Sequence, residues 1–399
     1  MLTLSKRVQS VSLSANAAAR QLTNRLKEQG VDIIDLTIGE PDFDTPIHIR
    51  QAAVAAMEAG ETRYTATNGT LALRKAVQAK LSRENRLQYE LPQICVANGA
   101  KQIIFNAFAA TLNDGDEVIV PAPYWPTFPD SARFNGGKAV IVECSLEQAH
   151  KLQPQQLEQV ISEKTRWLVL NNPGNPSGMA YNAEELQALA EVLRRHPHVM
   201  VMLDELYENI LFDGRQHTSL LHVAPDLRDR ILLVCGVSKT YAMTGWRIGF
   251  AAGPQELIAA MVVVQSQNSS GAGAISQAAA VAALNGGLDF LLPQRAAYQQ
   301  RRDVLMAALS QVDGVEALNP DGAFFIFCRC RGLLGKTRPD GNTLDSEQDV
   351  LNYLLENGVS GVAGGAYGLS PYFRLSIATD LASITEAGQR IVRACAALK

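Results

Sequence analysis

Between residues 94 and 234 the chain alternates short, almost unbroken apolar runs with stretches of helical periodicity. The runs occupy residues 94–97, 117–120, 167–170, 199–203 and 231–234. Segments this short and this continuously apolar suit strands buried on both faces, as in a mostly parallel sheet covered by helices. The stretches between them supply such helices: in residues 183–195, Leu186, Leu189, Ala190 and Leu193 recur at helical spacing. The pattern predicts an α/β layered fold with a mostly parallel central sheet between helices. With 399 residues the chain exceeds the roughly 250–300 residues that one core usually serves, so a second, smaller unit is expected. After about residue 290 the pattern changes: residues 300–303 read as helix, 324–327 and 372–377 as strands, and a final helix runs to Lys399. We expect a large domain over residues 48–290 and a smaller α+β domain built from residues 1–47 and 291–399. Residues 329–346, rich in Gly, Asp, Arg and Lys, read as an exposed loop.

In parallel sheets ligands collect at the carboxyl ends of strands. Four of the apolar runs lead directly into unusual polar residues: Asn98-Gly99-Ala100-Lys101, Asn171-Asn172-Pro173-Gly174-Asn175, Asp204-Glu205-Leu206-Tyr207 and Gly236-Val237-Ser238-Lys239. One site assembled from four strand ends is the simplest reading. A lysine just after a buried strand is partly desolvated, which lowers its pKa and favours a nucleophilic, imine-forming amine; Lys239 is so placed. Arg247, eight residues on, can return to the same pocket and clamp a phosphate. The free N–H groups where Gly99, Ala100 and Lys101 open a helix suit the same anion. A carboxylate such as Asp204 is costly to bury without a cation, and a protonated pyridine nitrogen would serve. Tyr207 offers a phenol, Asn175 sits in a rigid Pro/Gly turn, and Trp125 could stack on a heteroaromatic ring. Arg374, alternating with apolar neighbours, could bind a carboxylate. Each residue alone has an ordinary alternative as a cap, turn, core aromatic or surface charge.

A formal net charge of -4 and a pI near 5.9 argue against a nucleic-acid or anionic-membrane binder. The longest uncharged apolar run, residues 257–264, is too short to cross a bilayer. No apolar leader accompanies Lys6 and Arg7, so a cytoplasmic location is expected. The six cysteines are dispersed and read as buried, reduced thiols. Cys328 and Cys330 lack a second ligand pair, so no metal is expected.

In order along the chain, Gly39-Glu40-Pro41-Asp42-Phe43-Asp44-Thr45-Pro46 and residues 98–102, 121–125, 172–178, 204–207, 238–249 and 373–376 resemble the class I/II aminotransferases of pyridoxal 5′-phosphate (PLP) fold type I. The resemblance is strongest to the Iβ aspartate aminotransferase branch and runs almost end to end. It implies a PLP enzyme that takes an amino acid and a 2-oxo acid in turn, as a homodimer with shared active sites. Residue by residue, it implies that Lys239 forms a Schiff base with PLP and then moves the substrate's Cα proton, and that Asp204 pairs with the ring nitrogen. Tyr207 and Asn175 would bond the 3-oxygen, and Trp125 would stack on the ring and border the substrate. Ser238, Arg247 and the N–H groups of Gly99, Ala100 and Lys101 would hold the phosphate, joined by Tyr64 from the partner subunit. Arg374, Asn175 and the backbone of Gly39 would grip the substrate's α-carboxylate.

Lys101 stands where the aspartate-using branch places a cation for a distal carboxylate, which implies aspartate- and 2-oxoglutarate-like substrates. Helix N-termini disfavour cations, so a merely solvated lysine is the alternative. Two departures touch the substrate side-chain pocket. Leu13-Ser14-Ala15-Asn16 replaces a Pro-Ser-Ala-Thr-like segment, and Gly271 replaces a common Asn. An aromatic or aliphatic amino donor therefore stays open, as does a PLP lyase or β-eliminating enzyme on the same fold. A PLP-sensing regulator would need a DNA-binding domain, and the 38 residues ahead of Gly39 show no helix-turn-helix pattern or basic excess.

Overall fold

The computed structural model describes residues 2–12 and 15–399. Its strands, in chain order, are β1 (Ile34–Asp35), β2 (Ile94–Ala97), β3 (Glu117–Ala122), β4 (Lys138–Glu143), β5 (Thr165–Asn171), β6 (Met200–Asp204), β7 (Ile231–Gly236), β8 (Gly249–Ala252), β9 (Glu316–Ala317), β10 (Phe325–Arg329), β11 (Val359–Ser360), β12 (Val362–Ala363) and β13 (Tyr372–Ser376). Seven of them form the central sheet in the order β2-β8-β7-β6-β5-β3-β4. The pairs from β4 through β3, β5 and β6 to β7 are parallel. Only β8 runs antiparallel to its neighbours, β7 and β2.

All five apolar runs became strands of this sheet, and the reason for their continuity is visible. Alternate residues enter two different apolar clusters: Val201 and Leu203 of β6 pack on one face with Leu168 and Leu170, and Met202 packs on the other with Trp167 and Val169. A strand covered on both sides has no polar face to break its pattern. Two strands had no such signature. β4 is an edge strand with exposed, charged ends at Lys138 and Glu143, and β8 is four small or aromatic residues that begin on a glycine.

A second unit contains the four-stranded sheet β12-β13-β10-β9, packed by the helices Leu291–Leu309 and Leu381–Ala396. Its core gathers Leu36, Phe324, Phe325, Leu375 and Ile391, and also Tyr207, Ile210 and Phe212, which lie just beyond the end of β6. The N-terminal segment joins it through the parallel pair β1–β11. The final helix stops at Ala396, short of Lys399. Residues 329–346 are not exposed throughout: Cys330, Leu333 and Leu344 are buried, and Leu344 exchanges backbone hydrogen bonds with Gly335 and Lys336. The apolar residues among the charged ones anchor that loop. All six cysteines are free and buried. Among the described residues no helix is long and apolar enough to cross a membrane.

One close approach fixes where the helix Ala100–Thr111 begins. A Cβ on Gly249, the first residue of β8, would lie 2.3 Å from the Ala100 nitrogen and 2.4 Å from the Gly99 carbonyl carbon. Both obstacles are backbone. Gly249→Ala is therefore expected to cost about 1–3 kcal/mol by overpacking, read as a lowered midpoint in chemical denaturation. An unchanged midpoint would show that strand and helix can part freely.

Candidate active site

The carboxyl ends of β2, β5, β6 and β7 open into one cleft of about 450 Å³. Lys239 follows β7 in a turn held by buried Val237. Its Nζ donates to the Gly39 carbonyl at 2.6 Å and lies 5.8 Å from the Tyr207 ring centre and 5.7 Å from that of Phe324. Burial lowers its pKa to about 8; the charge of Glu40 opposes this, and those of Arg374 and Arg247 add to it. The desolvated amine expected from the sequence is present.

Asp204 ends β6 and is 4% exposed. Its Oδ1 accepts from the Leu206 N–H at 3.3 Å, and among the described residues it forms no ion pair. Burial pushes its carboxyl up to about 7, against the pull of the Leu206 N–H. A carboxyl buried this deeply without a cation is the partner that a protonated pyridine nitrogen requires. Tyr207, one turn on, is buried between the rings of Phe324 and Phe325. Burial raises its phenol's pKa, and a hydrogen bond with the Asn175 side chain is among the opposing effects.

Asn175 is placed by a turn in which Gly178 donates to the Gly174 carbonyl and Gly174 to that of Met179. Its own N–H donates to Asn171 Oδ1 at 2.7 Å. Its Oδ1 accepts from Arg374 Nη1 at 3.0 Å, and Arg374 Nη2 donates to the Thr37 carbonyl at 2.9 Å. Arg374 is 1% exposed on β13, set between the rings of Phe325 and Tyr367. Among the described residues no carboxylate pairs with it, and its buried Nε has no hydrogen-bond partner. A buried guanidinium left with a free donor suits a carboxylate from outside the protein.

The other end of the cleft collects anion donors. The helix Ala100–Thr111 starts after Gly99, at φ 83, with no side-chain cap, so its first N–H groups are available. Arg247 donates to the carbonyls of Thr244 and Asn98, and its guanidinium fills the space where a Cβ on Gly99 would sit. Buried Ser238 adds a hydroxyl. Backbone N–H groups at a helix start, a hydroxyl and a guanidinium fit a phosphate.

Lys101 is exposed in the first helical turn, with Nζ 5.0 Å above the half-buried Trp125 ring. Burial and the neighbouring Arg247 charge lower its pKa. Tyr64 is fully exposed and lies outside this chain's own cleft. Gly271 is also outside the lining; a Cβ there would lie 2.3 Å from Thr65 Oγ1, so the glycine seats the residue beside Tyr64. Of the Leu13-Ser14-Ala15-Asn16 segment, Leu13 and Ser14 lie outside the described residues. The structure adds Arg20, Thr37, Glu40, Asn171 and Thr244 to the cleft wall. Glu40 was signalled only as the neighbour of Gly39, and nothing in the sequence placed Arg20 there.

Glu205, Glu208 and His217 offer possible metal-ligand atoms within 4.8 Å of one another behind Tyr207. Here Lys80 already bonds Glu208 and supplies compensating charge, and His217 Nε2 lies 3.1 Å from Glu205.

Residues 31–391 match the family described as Aminotransferase class I and II. An aspartate aminotransferase of Rhizobium meliloti strain 1021 is 49% identical over 386 residues, covering 96% of this chain and 93% of its own. A probable aspartate/prephenate aminotransferase of Rickettsia bellii is 45% identical over the full length of both chains. A solved Rhizobium meliloti aspartate aminotransferase superposes with a TM-score of 0.97 at 47% identity, covering all of both chains. The Thermus thermophilus enzyme with maleate gives 0.92 at 38%, covering 99% of this chain and 100% of that one. With a pyridine-ready carboxyl, a depressed lysine and a phosphate cradle around one cleft, the chain belongs to the class I and II aminotransferases, which are PLP-dependent.

Proposed function

We propose that this aminotransferase works on dicarboxylic substrates, passing an amino group from an aspartate-like donor to a 2-oxoglutarate-like acceptor. The observation that carries the reading is a pair of cations left over once the phosphate end is accounted for. Arg374 is buried with a free donor, and Lys101 stands at the exposed side of the same cleft. Two cations in one cleft suit a substrate with two carboxylates. The relatives named as aspartate aminotransferases support the same choice.

Bound PLP supplies a carbonyl that takes up amines and a ring that accepts the electrons of a breaking Cα–H bond. The chain's residues divide the remaining work. Ser238, Arg247 and the N–H groups of Ala100 and Lys101 would hold the phosphate, and Trp125 would cover one ring face; the Gly99 N–H, expected from the sequence to join them, donates instead to the Ala97 carbonyl at 2.8 Å. Asp204 would keep a proton on the ring nitrogen; a cation opposite its carboxyl favours the ionised form that burial alone resists. Tyr207 and Asn175 would bond the 3-oxygen. Arg374 and Asn175, with the Gly39 backbone, would fix the α-carboxylate and so orient the Cα–H bond. Lys239 would take that proton and return it; an amine with a pKa near 8 lies close enough to neutrality for such a base. We assign Tyr64, exposed on its own chain, to the phosphate site of a partner in a cytoplasmic homodimer. Domain boundaries near residues 47 and 290 belong to the same reading.

Three outcomes are expected. In the apoprotein the Lys239 amine is charged below about pH 8 and neutral above it. Acylation of Lys239 should therefore rise through a midpoint near pH 8, against about 10.4 for an ordinary lysine; peptide mapping after labelling at several pH values reads this, and a midpoint near 10 contradicts the desolvated amine. Lys239→Ala should lower turnover by at least about 10²–10⁴-fold, the range of a lost general base, while circular dichroism stays unchanged. Near-normal rates in that variant would remove Lys239 from the chemistry. Finally, purified enzyme offered a panel of amino donors with pyruvate, 2-oxoglutarate or oxaloacetate should favour aspartate or glutamate and consume donor and acceptor one for one. Ammonia release without acceptor consumption would indicate elimination instead, and a preference for neutral donors would overturn the dicarboxylic reading.

A further inference from the structure

One ion pair in the cleft wall has no part in holding the cofactor or the α-carboxylate. Arg20 Nη2 meets Glu40 Oε1 at 3.0 Å, and the two side chains are 51% and 38% exposed. Arg20 comes from the helix Ala15–Glu28, and Glu40 from the residue after Gly39. Both line the cleft together with Lys101 and Arg374.

The two partners are unequally held. Glu40 keeps a second bond through Oε2, which accepts from Thr244 Oγ1 at 2.8 Å, and it feels the positive charge of Lys239. Arg20 carries five N–H donors and, among the described residues, uses one of them, on Glu40. Its helix is also lightly seated. Thr23 is its one buried residue among those described. A second cavity, of about 260 Å³, lies where Ala18, Ala19 and Leu22 face Leu351 and Val362 of the small unit. If Arg20 left Glu40, the carboxylate would retain its Thr244 bond, and the guanidinium would need another anion.

We propose that Arg20 is a specificity-determining residue that exchanges Glu40 for the distal carboxylate of a dicarboxylic substrate, reading it together with Lys101. The exchange swaps one carboxylate for another on the same guanidinium, and Glu40, released from its cation, keeps the hydroxyl bond from Thr244. A substrate with a neutral side chain offers Arg20 nothing, and the Arg20–Glu40 pair stays closed over it. The proposal rests on the dicarboxylic reading given above and adds to it the residue that enforces the choice.

The test uses the PLP-loaded enzyme and two probes that carry no amino group, succinate and butyrate, titrated by calorimetry. Steady-state kinetics with aspartate and alanine accompany it. Arg20→Gln should weaken succinate binding, and lower kcat/KM for aspartate, by about 10- to 100-fold, as expected for a lost charge-assisted hydrogen bond. Butyrate binding and alanine turnover should stay within about twofold of wild type. Arg20→Lys should recover part of the loss. Equal losses for both probes, or no loss for either, would overturn the assignment of Arg20. If wild-type enzyme fails to use aspartate at all, the dicarboxylic reading itself falls, and that is visible before any variant is made.

Discussion

Burying an ionisable group without its partner costs several kcal/mol, and this fold does so with three groups around one cleft. Among the described residues, Asp204 is enclosed with a single backbone N–H on its carboxylate, and the Lys239 amine donates only to the Gly39 carbonyl. Arg374 is locked between aromatic rings with its Nε unbonded. Each arrangement is costly in the free chain and becomes favourable once a complementary group arrives. The large apolar clusters on both faces of the sheet supply the stability against which that cost is carried.

Such groups are useful only if they cannot relax, and the surroundings restrain them. Asp204's carbonyl accepts from the Asn172 N–H and the Asn171 side chain, so the end of β6 is tied to the turn that carries Asn175. The Asn175 side chain in turn holds Arg374 of the small unit. A single hydrogen-bond chain thus spans the two sheets. At the phosphate end, glycine at 99 and 249 lets the Arg247 guanidinium and β8 approach the helix start more closely than any side chain would allow.

What the sequence made legible follows from the same physics. Strands buried on both faces must be apolar throughout, so β2, β3, β5, β6 and β7 stood out, and the polar residues that follow four of these runs had to lie at the carboxyl edge. That located Lys239, Asp204, Asn175 and Gly99 together. The edge strand β4 and the small-residue strand β8 carry no such pattern. Arg20 sits on an exposed helix, where an arginine is unremarkable, and only tertiary packing brings it to Glu40. The charged stretch 329–346 misled because its anchoring residues, Leu333 and Leu344, are few among many polar ones. Within its own chain Gly271 makes room for Thr65, a contact between distant segments that the sequence does not signal.

The charges of the cleft complete the picture. Its lining includes Arg20, Lys101, Lys239, Arg247 and Arg374 against only Glu40 and Asp204, in a protein whose formal net charge is -4. Cations held this close depress one another: Arg374 and Arg247 lower the pKa of Lys239, and Arg247 lowers that of Lys101. An entering anion reverses the effect. A phosphate beside Arg247 or a carboxylate beside Arg374 cancels part of the repulsion, so Lys239 gains proton affinity as the anion binds. Anion binding and protonation of the amine are therefore one coupled equilibrium. The surplus positive charge that draws acidic ligands into the cleft also keeps Lys239 able to lose its proton while the anion sites are vacant.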